Sequence, residues 1–139
     1  MQQSLPMASR KIIECTPLLI TAWKEAEQEW ERIYPELPKP FITCTHRSNA
    51  EQDELYTHGR TIKGAKVTNA KAGQSPHNYN PSFAFDIAFI GLNKKLDWSN
   101  ELFRLFAQII KQDNITWGGD FKTMKDNPHF EVKEWKKKL

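Results

Sequence analysis

The stretch FAFDIAFI, Phe83 to Ile90, constrains this chain more than any other. An ionised carboxylate inside an apolar run is costly to desolvate unless it is paired or turned away from the core. Strand alternation resolves the conflict, because residues two apart share a face. Phe83, Phe85, Ile87 and Phe89 then point into a core, while Ala84, Asp86 and Ala88 point the other way. The small neighbours of Asp86 leave room above its carboxylate for a bulky group. The stretch therefore predicts a strand with packing on one side and a ligand site on the other.

The same parity extends to two further segments. In HFEV, Phe130 and Val132 suit the core, which leaves His129 and Glu131 on the open face. In FITCTHR, Ile42 and Cys44 suit the core, which leaves Thr43, Thr45 and Arg47 on the cleft side. One sheet face would then present Asp86, His129 and Arg47, with His77 on the loop before the central strand. Two imidazoles, one carboxylate and an open fourth position suit a catalytic zinc ion. The ordinary alternative is that these are surface or satisfied core histidines, and spacing alone leaves both readings standing. His58 reads as solvated and His46 as structural. Neither an HExxH motif nor a cysteine-rich zinc pattern is present.

Around this centre the elements read as α+β: a small antiparallel sheet backed by helices. Thr16-Pro17 opens a helical segment over about 16–34, with apolar residues at helical spacing from Leu18 to Ile33. Pro35, Pro38 and Pro40 end it. Ser48 and Glu51 form a capping-box pair for a second helix that Gly59 stops. Arg60 to Gln74 is a polar loop, and Trp98-Ser99-Asn100 leads into a third helix. Trp117-Gly118-Gly119 is a turn. The 139 residues suit one domain, 1–139, without repeats or linkers. A net charge of +3 is too small to argue for nucleic acid. No stretch is apolar and long enough to span a membrane, no secretory leader is evident, and Cys15 and Cys44 suit reduced, buried thiols.

Two motifs carry a resemblance. Ser75-Pro76-His77 followed by Ala84-Phe85-Asp86 resembles the Ser-x-His and Ala-x-Asp signature of zinc peptidases with the Hedgehog/D,D-peptidase fold. Asp126-Asn127-Pro128-His129 resembles their second motif, an acidic residue three positions before a histidine. This family includes D-Ala-D-Ala carboxypeptidases and the L-alanyl-D-glutamate endopeptidases of phage endolysins. The likeness runs from about Thr43 to Val132, and HRSNAEQDELYTHGRT and VTNAKAGQSPHN look like the phage branch. The chain departs from the family in two places. His77 and Asp86 are nine positions apart, with Asn80-Pro81-Ser82 where a glycine is usual. The acid is Asp126, where the carboxypeptidase branch has Glu.

The resemblance implies one catalytic domain with a zinc core over about 41–132. It implies His77, Asp86 and His129 as Zn2+ ligands and Asp126 as the catalytic carboxylate, with Glu131 and Asp120 as rivals. Arg47 would stabilise the oxyanion, and Ser75 and Gln52 would lie on the substrate side. The implied activity is hydrolysis of the L-Ala–D-Glu bond of peptidoglycan by a phage or prophage lysis enzyme, expected to be a monomer. Such an enzyme would be made in the cytoplasm and reach the wall after release. A D-alanyl-D-alanine carboxypeptidase and a non-catalytic, zinc-containing wall-binding module are the alternatives.

Overall fold

The computed structural model describes residues 8–110 and 114–139. Its first helix, α1, spans Pro17–Ile33, and places Leu19, Ala22, Trp23, Ala26 and Trp30 on one buried face. Proline at the first helical position suits a helix start, where its missing N–H has no intrahelical partner to lose. The Thr16 hydroxyl, expected as the cap, makes no capping bond and is buried without a hydrogen-bond partner among the described residues. The second helix, α2, spans Asn49–Thr57 and opens on the expected capping box. Ser48 Oγ accepts from Glu51 N at 3.1 Å and Glu51 Oε1 accepts from Ser48 N at 2.9 Å. Gly59, at φ +79°, then lets the chain turn where a Cβ would lie 2.6 Å from Lys66 N.

Four strands form one antiparallel sheet in the order β1-β2-β4-β3. They are β1 (Lys39–Cys44), β2 (Ala84–Ile90), β3 (Ile115–Trp117) and β4 (His129–Val132). The third helix, α3 (Asn100–Ile110), packs with α1 over one sheet face. Phe85, Ile87, Phe89 and Phe130 are fully buried in that layer. Their rings interlock with Trp23, Trp30 and Phe106 at centroid distances of 5.3–5.8 Å. Aromatic pairs at such separations add roughly 0.5–1.5 kcal/mol each beyond area burial. The expected α+β architecture is therefore present, with a central strand whose apolar parity holds.

Parity fails in β1. Ile42 pairs with Ile87, but the next paired residue is Cys44, opposite Asp86. Thr43 is the extra residue of a bulge, and a bulge moves every later side chain to the other face. Cys44 is thus brought beside Asp86 instead of into the core. Thr45, expected on the cleft side, is fully buried and its hydroxyl donates to Ser9 O at 3.2 Å. Ala84 and Ala88 are also covered, so the space above β2 is confined to Asp86.

Candidate active site

Asp86 and His129 face each other directly across the β2–β4 ladder, so their side chains rise on the same sheet face. His77 arrives from a one-turn 3-10 helix, Pro76–Asn78. The nine-position spacer doubles back to close on its origin: Phe83 N donates to Pro76 O at 3.0 Å, and the Ser82 hydroxyl donates to Thr45 O at 3.0 Å. The long spacer therefore still brings both motif residues together. Asp86 Oδ1 lies 3.1 Å from His77 Nε2 and 2.9 Å from His129 Nδ1.

The ring nitrogens on the far sides define which atoms can bind. Thr45 O can only accept, so the 2.7 Å contact makes His77 Nδ1 the N–H donor. The Glu131 carboxylate, 2.7 Å from His129 Nε2, makes that nitrogen the donor on the second ring. Each ring is thereby anchored from behind, and His77 Nε2, His129 Nδ1 and the Asp86 carboxylate converge. Two ligands on a tetrahedral zinc, each at ~2.0–2.2 Å, stand roughly 3.3 Å apart. The two separations from Asp86 Oδ1 and the nitrogen–oxygen donor set suit such an ion.

Electrostatics agree. Burial works to lower the pKa of both imidazoles. Asp86 more than offsets it, pushing His77 up to about 10 and, with help from Glu131, His129 up to about 9. Burial would raise the Asp86 carboxyl, but the His77 charge and the bonds from both rings hold it well below the usual carboxylate range. The pocket demands positive charge against Asp86, which a divalent cation supplies as well as an imidazolium does. Cys44 Sγ, His77 and Asp86 also come within 4.8 Å of one another. The thiol touches His77 at Nδ1, 3.6 Å away, the nitrogen already committed to Thr45 O. Cys44 therefore backs the ring instead of joining the converging set.

The remaining expected residues divide into those that face the cleft and those that brace it. A cleft of about 1050 Å³ is lined by Arg47, His77, Asp86, Asp126, His129 and Glu131, among others. Arg47 reaches it by a bend after β1, where its N–H donates to His77 O at 2.8 Å, and not by strand parity. Its Nη2 stands 3.9 Å from Asp86 Oδ2. Gln52, expected on the substrate side, is wholly buried. Its Oε1 accepts from Arg47 Nη1 at 3.0 Å and its Nε2 donates to Ala70 O at 2.8 Å, so it braces the arginine. Ser75 borders the cleft, but its hydroxyl is used in accepting from His77 N at 3.2 Å. With Asn78 it makes a capping box that sets the His77 turn.

Asp126 sits on the loop before β4 and is exposed at the mouth of the cleft. Crowding around its carboxyl, and next the Asp86 charge, push its pKa up. Gly118 makes this placement possible: its carbonyl accepts from Asp126 N at 3.0 Å, and a Cβ there would lie 2.2 Å from Asp126 O. Trp117, half-buried against the core, donates from Nε1 to Asn127 O at 2.7 Å and pins the same loop. Glu131, a rival for the base from the sequence, is bound to His129. Cys44 and Asn78 did not stand out as site residues. The Ser75-x-x-Asn78 spacing was a visible sign of the second; the bulge that turns Cys44 had none.

Residues 68–132 match the family described as D-alanyl-D-alanine carboxypeptidase. The peptidoglycan L-alanyl-D-glutamate endopeptidase CwlK of Bacillus subtilis (strain 168) is 41% identical over 103 residues, which are 66% of this chain and 59% of CwlK. The chain thus spans about three-fifths of that relative's length. The fold is that of the Serratia marcescens L-Ala D-Glu endopeptidase ChiX, with a TM-score of 0.69 at 20% identity over 91% of this chain and 86% of ChiX. The D,D-pentapeptidase VanY of the VanB-type vancomycin resistance cassette, solved in complex with Zn(II), gives a TM-score of 0.55 at 14% identity. That superposition covers 81% of this chain and 71% of VanY.

Proposed function

We propose that the chain is a zinc peptidase that hydrolyses the L-Ala–D-Glu bond of peptidoglycan stem peptides, a reading supported by the match of residues 68–132 to the family described as D-alanyl-D-alanine carboxypeptidase. The observation that carries the reading is the convergence of His77 Nε2, His129 Nδ1 and Asp86 Oδ1, with both rings anchored from behind. The likeness to CwlK over 103 residues supports the bond. His77, Asp86 and His129 would hold the zinc, which when bound would supply Lewis-acid chemistry: a water with its pKa lowered towards roughly 7 and polarisation of the scissile carbonyl.

The chain's own residues do the rest. The Asp126 carboxylate takes a proton from the attacking water and returns it to the leaving amine of D-Glu. Its pKa, raised by crowding of the carboxyl and by the Asp86 charge, makes it a better base than an isolated aspartate. Arg47, held by Gln52, presents a fixed positive charge to the oxygen that becomes anionic; loss of one such partner typically costs about 10²–10³ in rate. Glu131 and Thr45 O keep the two imidazoles in the tautomers that offer a lone pair to the metal.

A lytic role as a phage or prophage endolysin, reaching the wall after release, is the finer form of this reading and is supported by Asp126 in place of Glu. Trimming of terminal D-Ala is the competing activity, favoured by the name of the matched family. Digestion of purified muropeptides, with and without chelator, separates the two by mass spectrometry. The expected product carries a new amino group on D-Glu, disappears with chelator and returns with zinc. Release of free D-Ala instead would overturn the endopeptidase assignment.

A further inference from the structure

The Lys125–Asp126 segment is a wall with a cavity on each side. The active-site cleft lies on one side. On the other is a groove of about 640 Å³, lined by Trp98, Asn100, Arg104, Trp117, Lys125 and Asn127, among others. Apart from Asp126, which lines both cavities, none of its residues has a part in the hydrolytic steps above. Trp98 is 55% exposed, a large apolar surface left in water. Its ring stacks on Phe103 with centroids 6.1 Å apart and planes at 17°, which holds it as a rigid platform at the groove wall. Asn127 Nδ2 donates to Asn100 Oδ1 at 2.9 Å. That bond leaves an amide NH2 on Asn100 and an amide oxygen on Asn127 for a further partner.

An exposed aromatic plane flanked by amide donors and acceptors suits a pyranose ring, whose apolar C–H face stacks while its hydroxyl and acetamido edges hydrogen-bond. Substrate connectivity points to the same occupant. In peptidoglycan the stem peptide begins with L-Ala, amide-linked to the lactyl ether of an amino sugar. The L-Ala–D-Glu bond is therefore only about two residue lengths, roughly 7 Å, from the sugar ring. With that bond against Asp126, the sugar lies within about 7 Å of a residue that also lines the groove. The groove opens there.

From this juxtaposition we infer that the Trp98–Asn100–Asn127 groove is a subsite for the N-acetylated amino-sugar unit of the glycan strand. It is a binding site outside the hydrolytic machinery, and it makes the chain prefer stem peptides still attached to glycan. The inference rests on the endopeptidase reading for its tether length, but its ligand can be tested without cleavage.

Two measurements decide it. In the first, the zinc-loaded chain is titrated with a peptide-free disaccharide of the two N-acetylated wall sugars, and the Trp98 indole N–H resonance, identified with W98F, is followed by NMR. A saturable shift of that resonance is expected. Absence of a shift at millimolar disaccharide overturns the subsite, whatever the chain cleaves. In the second, kcat/KM is compared for the same stem peptide with and without its disaccharide. The ratio of the two should exceed about tenfold in the parent chain and fall towards one in Trp98→Ala, carried by KM. An equal loss on both substrates would mean that Trp98 serves folding or cleft shape and would overturn the proposal. If neither substrate is cut, the endopeptidase reading fails, while the NMR titration still judges the groove.

Discussion

Two carboxylates near His129 could each take a proton, and their positions assign them different work. Asp126 faces the cleft with a raised pKa, whereas Glu131 is spent on His129 Nε2 at 2.7 Å. Asp126→Ala should bind zinc like the parent and lose about 10²–10⁴ in kcat, the usual worth of a positioned acid–base group. Metal analysis alongside single-turnover kinetics checks both halves of that statement. Glu131→Ala should behave in the opposite way. Its zinc affinity should fall about 10–100-fold, as found when a carboxylate behind a ligating histidine is removed, and excess zinc should recover much of the rate. A competition titration with a chromophoric chelator measures the shift. If Glu131→Ala kept its metal and lost all turnover, the two roles would have to be exchanged.

Among the elements, the loop from Gly118 to His129 is the most exacting. Gly118→Ala would drive a Cβ to within 2.2 Å of Asp126 O and 3.0 Å of His129 Cβ. The backbone carrying the base must shift, at a cost of roughly 1–3 kcal/mol in stability. Denaturant unfolding should show that loss, and kcat should fall further than the unfolded fraction accounts for. Legibility in the sequence followed the same elements. β2 and β4 could be read from their letters because their alternation is unbroken, and that was enough to bring Asp86, His129 and Glu131 to one face. The capping boxes of α2 and of the His77 turn rest on short-range spacing, and the first was read correctly. β1 was misread beyond Ile42, since a bulge depends on what lies across the ladder and not on the strand's own residues. Arg47 reached the cleft even so, because its backbone bond to His77 O overrides strand parity. Gln52 sits inside for the same kind of reason: its partners, Arg47 and Ala70, are distant along the chain.

At the scale of the whole molecule, the sheet separates stability from chemistry. α1, α3 and the aromatic layer lie against one face, and the Asp86 and His129 side chains rise from the other. Small zinc-dependent domains lose their fold with their metal, because the ion substitutes for a core. Here a core of eighteen buried residues among those described, including Trp30, Phe85, Phe106 and Phe130, stands apart from His77, Asp86 and His129. Chelation should therefore abolish cleavage while far-UV circular dichroism keeps its native form and a cooperative thermal transition persists at lower temperature. Loss of that transition on chelation would show that the ion is part of the scaffold. The unpaired position in β1 bears on how freely this scaffold can change length. Losing a residue from within a strand ordinarily inverts everything downstream, yet Thr43 has no counterpart across the ladder, and its neighbours are already aligned as though it were missing. Excising Thr43 would splice Ile42 to Cys44 in step with Ile87 and Asp86, so a chain one residue shorter can keep Cys44 behind the imidazole and Arg47 beside Asp86.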